Sequence, residues 1–232
     1  MGWLAPGLCQ SLPVELAQRL TQPAGLFLDE LEVVSAALRE SRWGQGWRNE
    51  RFEVSDQNGG PVLDSGGQVV GLERALFRPL GLFYRTAQLN LRAADGRIWV
   101  AQRAAHKAID PGLWDAAVAG GIGLGETAWQ ALVREAWEEA GLDERQMQRA
   151  EFRGEVLVER LLGSDGGGGL QRELVVSYDL WLADQTQPQN RDGEVQQFEC
   201  VNLEQIWQRW GQGLFNHEAA VGCLDFLAPQ PD

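Results

Sequence analysis

The sequence predicts an α/β sandwich around a mixed β-sheet, with a small α+β module at its amino terminus. Strand-like runs lie on both sides of one amphipathic helix in residues 81–232, and helical segments follow the last run. Residues 1–80 instead combine helical periodicity with short strand-like segments. The 232 residues, 44% of them hydrophobic, are enough for two such parts. We therefore expect two domains, 1–80 and 81–232.

The amino-terminal module is predicted to contain two helices and a strand. Hydrophobic residues recur with helical spacing in 14–20 and 28–41, and the segment 22–25, which contains proline and glycine, separates these two runs. Residues 51–54 predict a strand. Residues 69–76 are compatible with a strand or a short helix, because periodicity does not distinguish the two in so short a run.

The second domain is predicted to be rich in strands. A hairpin turn at Ala94–Gly96 joins the first two strands, and a glycine-rich loop at 163–169 is expected to be mobile near the site. The predicted strands are 83–91, 97–103, 117–122, 152–161, 170–182 and 195–202. The predicted helices are 127–140, 203–210 and 217–227.

The helix at 127–140 follows a glycine-rich loop and concentrates carboxylates on one side. At roughly 100° per residue, Glu135, Glu138 and Glu139 fall within an arc of about 100°. Thr127 is the predicted N-cap, and Gly141 is expected to end the helix with a positive φ. A separate arc, predicted to face the core, holds Trp129, Val133, Ala136 and Ala140.

This combination of loop and helix suggests a metal site. Carboxylate oxygens suit Mg²⁺ or Mn²⁺, which typically bridge to substrate phosphates, and the Gly120 carbonyl is a further candidate ligand. Arg134 is placed to orient Glu135 or Glu138 by a charge-assisted pair. The reaction that follows is metal-assisted attack of water on a phosphoanhydride. The alternative is that the glutamates form only the solvated face of a surface helix.

The spacing of these residues resembles the Nudix box, the motif of the Nudix hydrolases. The residues that occupy its fixed positions are Gly120, Glu126, Arg134, Glu135, Glu138, Glu139, Gly141 and Leu142. Ala136 is smaller than the aliphatic residue common at its position. The resemblance implies a metal-dependent pyrophosphohydrolase in which Gly120, Glu135, Glu138 and Glu139 hold the metal. Glu138 and Glu135 are the implied candidates for activating water.

A narrower resemblance extends to a Nudix subfamily associated with thiamine pyrophosphokinase. It rests on Trp47–Glu50, Arg51–Val54, Trp99–Arg103, Lys107, Pro111–Asp115, Val118–Gly121, Ser177–Leu180, Asp192–Val195 and Asp225–Phe226. This resemblance implies hydrolysis of thiamine diphosphate or its oxidised analogues to the monophosphate and phosphate. The alternatives are an ADP-ribose or nucleotide-sugar pyrophosphatase, and a Nudix module that binds a diphosphate without hydrolysing it.

Four residues outside the box are further candidates. Glu194 follows a turn at a strand start, where it serves as an extra catalytic carboxylate or as a surface charge. Arg103 and Lys107 follow a strand and precede the site loop, so they are candidate cations for the diphosphate or solvated loop charges. Asp115, expected just before a strand, contacts a polar heterocycle or caps a turn.

Charge and cysteine content restrict the class of protein. A net charge of −13 argues against binding to nucleic acid or to a membrane surface, both of which require basic patches. The three scattered cysteines, Cys9, Cys200 and Cys223, are expected to be reduced thiols and small core residues, which favours a cytoplasmic protein. The expected partner is a small-molecule diphosphate, and a homodimer is compatible with the sequence.

Overall fold

The computed structural model describes residues 4–5, 7–20, 31–44, 46–56, 58–107, 109–162, 168–183 and 186–227. Three predictions fall partly or wholly outside these residues: the break at 22–25, the start of the helix predicted from residue 28, and positions 163–167 of the glycine-rich loop.

The chain divides into two compact units. The first comprises Met1–Arg85, Ile122–Gly125 and Leu157–Leu174. The second comprises Thr86–Gly121, Glu126–Val156 and Val175–Asp232. The domain boundary expected after residue 80 stays a prediction.

The first unit contains helices α1 (Val14–Leu20), α2 (Leu31–Arg39) and α3 (Phe77–Leu80). Strands β1 (Arg51–Glu53) and β2 (Gly71–Glu73) pair in antiparallel fashion. The ambiguous segment 69–76 contains both predicted alternatives, because β2 is followed by a 3₁₀ turn, Arg74–Leu76.

The core of the first unit is aromatic at its centre. The ring centroids of Phe52 and Phe77 are 6.0 Å apart, and the Phe77 and Tyr84 rings meet edge to face at 5.6 Å. All three side chains are buried, together with Leu72 and Leu76. Burial of this apolar surface stabilises the unit and anchors β1 through Phe52.

The larger sheet has the strand order β5-β4-β3-β8-β7, with β6 paired to β3 and β9 paired to β4. Its strands are β3 (Phe83–Arg92), β4 (Ile98–Arg103), β5 (Trp114–Ala116), β6 (Val118–Gly121), β7 (Glu151–Leu162), β8 (Gly169–Trp181) and β9 (Val195–Val201). The hairpin at 94–96 and the six predicted strands are present, with boundaries that differ by at most one residue. Strand β5 was not predicted.

The sheet is mixed, as predicted. Strand β3 runs antiparallel to β4 and to β6. Along β3 and β8, contacts join Tyr84 to Glu173 and Asn90 to Asp179, so the positions rise together and these two strands run parallel.

Helices flank the sheet: α4 (Ala128–Ala140), α5 (Glu144–Met147), α6 (Leu203–Gly211) and α7 (His217–Leu227). The predicted α/β class is confirmed, and of these four helices α5 alone was not expected. None of the helices within the described ranges is both long and apolar enough to cross a membrane.

The apolar face of α4 differs from the predicted arc. Ala136 and Ala140 are buried, but Trp129 and Val133 are only half-buried. Ala131 and Leu132 are buried instead. Packing against β6 selects this face, which helical periodicity alone did not locate.

The three cysteines are free thiols with unequal burial. Cys223 lies in a core formed by α7 and the sheet, as predicted. Cys9 and Cys200 are only half-buried, so the prediction that they are core residues is wrong.

Candidate active site

Helix α4 begins and ends where its sequence specifies. The Thr127 side chain accepts a hydrogen bond from the Gln130 backbone N–H, and the Gln130 side chain accepts one from the Thr127 backbone N–H. Gly141 ends the helix with φ 68°, and its N–H donates to the last turn. These caps fix which residues occupy the helical turn that carries the carboxylates.

Gly120 leaves room for a carboxylate. It lies on β6 opposite Ala87 of β3, and a Cβ added to it would come within 2.1 Å of the Glu135 carboxyl carbon. Any other residue would therefore displace Glu135. The glycine predicted for the metal site has a steric reason to be there, and it places the β6 backbone against the Glu135 carboxylate.

Arg134 is the centre of an ion-pair cluster. It donates two hydrogen bonds of 3.0 Å to the two carboxylate oxygens of Glu126, and one of 2.6 Å to Glu135. Its Nη1 also lies 3.7 Å from Glu138. The hydrogen bonds that Arg134 donates to Glu126 are the main cause that raises the pKa of Arg134, so this guanidinium stays charged. The predicted orienting role of Arg134 agrees with this geometry.

The three glutamates of α4 differ in depth. The Glu138 side chain is 44% exposed and that of Glu135 15%, whereas Glu139 is 8% exposed as a residue. Glu139 accepts a 2.9 Å hydrogen bond from the Ala119 backbone N–H. Burial, and then the nearby charge of Glu135, raise the pKa of Glu139 well above its usual value. The helix therefore presents carboxylates from the surface to the interior.

This donor set fits a hard divalent cation. Arg134 contacts three carboxylates, those of Glu126, Glu135 and Glu138, so the cluster has an excess of negative charge that a divalent cation would neutralise. Within the described residues, no group of three or more histidine, cysteine, aspartate or glutamate side chains is arranged so that it could by itself hold a metal ion. Mg²⁺ usually retains several waters and substrate oxygens as ligands, so one or two carboxylates beside a backbone carbonyl are sufficient protein ligands.

A small cleft lies beside Glu139. It is lined by Ala101, Arg103, Lys107, Asp115, Ala116, Ala119, Glu139, Glu194 and Val195. The structure therefore brings all four candidates from outside the box to one cleft, and Glu139 is the box residue that lines it.

Arg103 and Asp115 form one ion pair in this cleft. Arg103 Nη1 donates to Asp115 at 2.8 Å, and the same guanidinium donates twice to the Ile109 carbonyl. Asp115 precedes β6, as expected, but it also lies inside β5, so the turn-capping alternative is wrong. Burial raises the pKa of Asp115, and the charge of Arg103 opposes this shift.

Lys107 and Glu194 form the second ion pair. Glu194 directly precedes β9, as expected. The connector before it is held by the end of α4: the N–H groups of Arg191 and Asp192 donate to the Glu138 carbonyl, and that of Gln189 donates to the Ala140 carbonyl. These bonds fix Glu194 with respect to the carboxylate helix.

No role was predicted for Glu126 from the sequence. Its position in the box was the available signal, but its pairing with Arg134 depends on how the loop folds back onto the helix. Pairing of Arg103 with Asp115, and of Lys107 with Glu194, was also not anticipated.

The sequence matches a known protein family, whose model includes the helix and loop of this site. The family model described as the NUDIX domain matches residues 84–219. The chain belongs to the Nudix family. Members of this family generally use divalent metal ions such as Mg²⁺ or Mn²⁺.

Two relatives are from Arabidopsis thaliana. Nudix hydrolase 20, chloroplastic, is 32% identical over 186 residues, which cover 78% of this chain and 47% of the relative. Nudix hydrolase 24, chloroplastic, is 30% identical over 189 residues, which cover 78% of this chain and 48% of the relative. The chain thus spans about half the length of these curated relatives.

A crystal structure from Deinococcus radiodurans shares the fold. It superposes with a TM-score of 0.53 at 20% sequence identity, and the match covers 74% of this chain and 95% of the other. At that identity the likeness concerns the fold alone.

Proposed function

We propose that this protein is a metal-dependent pyrophosphohydrolase that cleaves the diphosphate linkage of a small molecule. The observation that carries the proposal is the arrangement in which Gly120 makes room for Glu135 while Arg134 holds Glu126 and Glu135. Such an arrangement keeps several carboxylates together against their mutual repulsion. The family's name, and the names of its Arabidopsis members, support the same reaction class.

The metal ligands would be Glu135, Glu138, Glu139 and the Gly120 carbonyl, with Mg²⁺ or Mn²⁺ as the ion. When bound, the ion would polarise the phosphoryl group and lower the pKa of water. Arg103 and Lys107 would neutralise the diphosphate, because both line the cleft beside Glu139. Each would exchange part of its present ion pair for a phosphate oxygen.

Glu138 is our first choice for the general base. Its side chain is the most exposed of the three on α4, and its contact with Arg134, at 3.7 Å, is the longest of that cluster. Glu135 is committed to a 2.6 Å bond with Arg134, and Glu194 is paired with Lys107. In the proposed step, water forms a new P–O bond, the bridging P–O bond breaks, and Glu138 takes the proton.

The substrate we propose is thiamine diphosphate or one of its oxidised analogues, which would give the monophosphate and phosphate. Support comes from the narrower sequence resemblance, which includes Trp47–Glu50 and Pro111–Asp115. Asp115 itself contacts Arg103, so recognition of the heterocycle by this carboxylate would require that pair to rearrange.

The reaction is tested with Glu138→Gln, using Glu144→Gln on the exposed helix α5 as the matched control. Phosphate release in Mg²⁺ should fall by roughly 10²- to 10⁴-fold in Glu138→Gln and stay near wild type in Glu144→Gln. The thermal unfolding of both variants should resemble that of the wild type. Near-normal turnover of Glu138→Gln would remove this residue from the mechanism.

The substrate is tested with a panel of diphosphates. Thiamine diphosphate, an oxidised analogue, ADP-ribose and a nucleotide sugar are each incubated with enzyme and Mg²⁺ or Mn²⁺, and the products are separated by chromatography. Release of phosphate from the thiamine compounds supports the proposal. Cleavage of ADP-ribose alone overturns the thiamine assignment, and binding without cleavage of any compound indicates a non-catalytic module.

A further inference from the structure

Strand β1 is paired with the glycine-rich loop that precedes α4. The Leu124 backbone N–H donates to the Arg51 carbonyl at 2.8 Å, and Phe52 forms an antiparallel bridge with Gly123. The Ile122 N–H donates to the Arg85 carbonyl at 3.0 Å. All of these residues belong to the first unit. The strand that carries the Arg51–Val54 motif therefore has a partner in the box itself.

Side-chain packing follows the same path. Leu124 lies over Gly71 of β2, where an added Cβ would meet a Leu124 methyl carbon at 2.5 Å. Phe52 is buried among Phe77 and Tyr84, and the Arg74 guanidinium stacks over its ring at 5.3 Å. The β1–β2 hairpin is thus anchored in a core. It contacts the loop through the backbone hydrogen bond from Leu124 to Arg51 and through the Leu124 side chain, which packs on Gly71.

The chain connects this contact to the ion-pair cluster. Residues 122–125 stand between Gly121 and Glu126. The Gly121 carbonyl accepts a 3.3 Å hydrogen bond from Arg134, and Glu126 makes the bidentate pair with the same guanidinium. The segment held by β1 therefore has, at each end, a residue that binds Arg134.

We propose that the β1–β2 hairpin is a positioning element for the box loop, with Gly71 and Leu124 as positioning residues. This inference rests on the proposed function, because it assigns the hairpin a role in that reaction. Shifting residues 122–125 moves Gly121 and Glu126, and Arg134 with them. A displacement of about 1 Å at a catalytic group is enough to cost roughly 100-fold in rate.

The test exchanges side-chain volume across the contact. Gly71→Val fills the space of Leu124, Leu124→Ala empties it, and the double variant combines the two. Gly60→Val is the control, because it adds the same side chain to the same unit where the nearest atom, of Asp56, would lie 3.4 Å from the new Cβ. Leu124→Phe overfills the contact from the loop side and keeps the inference testable if Gly71→Val does not fold.

We expect Gly71→Val to lower kcat by roughly tenfold or more with KM within about twofold of the wild type. The double variant should recover the kcat of Leu124→Ala alone, and Gly60→Val should match the wild type. A merely structural role would lower the unfolding temperature and leave the kcat of folded protein unchanged. That result, or a loss that Leu124→Ala does not restore, overturns the inference.

Failure of the proposed function is distinguishable. If the wild type cleaves no diphosphate, the reaction assignment fails. Calorimetric titration with Mn²⁺ then measures whether the contact between Gly71 and Leu124 affects metal binding. Weaker Mn²⁺ binding in Gly71→Val, restored in the double variant, supports the positioning role. Equal Mn²⁺ binding in all these proteins overturns it.

Discussion

Two groups of ion pairs in the second unit are built in different ways. The Arg134 group is local, because Glu126, Glu135 and Glu138 lie within eight residues of the arginine. The cleft pairs are distant: Arg103 meets Asp115 across 12 residues of chain, and Lys107 meets Glu194 across 87.

Their formal charges differ as well. With Glu139 included, the Arg134 group has four carboxylates and one guanidinium, a formal charge of −3. The cleft pairs have two cations and two carboxylates, a formal charge of zero. The first group is therefore suited to a cation, and the second is suited to exchange one anionic partner for another.

Among the changes that test this comparison, the largest effect is expected from breaking the Arg134 group at Gly120. In Gly120→Ala the new Cβ would lie 2.1 Å from the Glu135 carboxyl carbon, so Glu135 must leave its position beside β6. We expect phosphate release to fall by roughly 100-fold. Gly211→Ala is the control, because its added Cβ would have no heavy atom within 4 Å apart from its chain neighbours and the backbone of its own helix. Wild-type turnover in Gly120→Ala would show that Glu135 need not occupy this position.

A smaller effect is expected from breaking a cleft pair at Lys107. Lys107→Met keeps most of the length of the side chain and removes the charge that faces Glu194. We expect KM for the diphosphate to rise about tenfold, equivalent to about 1.4 kcal/mol, with kcat within about threefold. Arg97→Met, which removes an exposed cation from a hairpin, should change neither constant. An unchanged KM in Lys107→Met would assign that lysine to the ion pair alone.

The smallest expected effect is on the pH dependence of stability, through Asp115 of the cleft pairs. Burial holds the pKa of Asp115 above its ordinary value of 3.8, so folded protein binds this proton more tightly than unfolded chain. Its contribution to stability therefore declines as the pH rises from 3.8 through the raised pKa, and is constant above it. Asp115→Asn removes this dependence.

The measurement is urea unfolding of the two proteins at pH 4 and pH 7. The difference in unfolding free energy between wild type and Asp115→Asn should change between the two pH values, in the direction that makes wild type relatively weaker at pH 7. A change of opposite sign would mean that the Arg103 charge outweighs burial.

The local group was predictable because helical geometry relates residues three or four apart. The caps at Thr127 and Gly141, and the arc of three glutamates, follow from that spacing. The unequal depth of Glu138 and Glu139 did not follow, because it depends on the β6 backbone that binds Glu139. The buried face of α4 was misjudged for the same reason.

The cleft was only partly predictable. Sequence selected Arg103, Lys107, Asp115 and Glu194 as candidates, and the structure places all four in one cleft. The sequence did not reveal their pairing, since strand register decides which side chains meet across a sheet. Strand β5 was missed because a three-residue strand has too few positions to establish alternation.

The connector at 189–192 has a consequence for slow dynamics. Its amides at Gln189, Arg191 and Asp192 donate to carbonyls in the last turn of α4. Hydrogen exchange at these three positions should therefore be slow for an irregular segment, and should accelerate together with the end of the helix. Any local opening that releases Glu194 must also unravel that helical turn, so two segments 50 residues apart in the chain open as one cooperative unit.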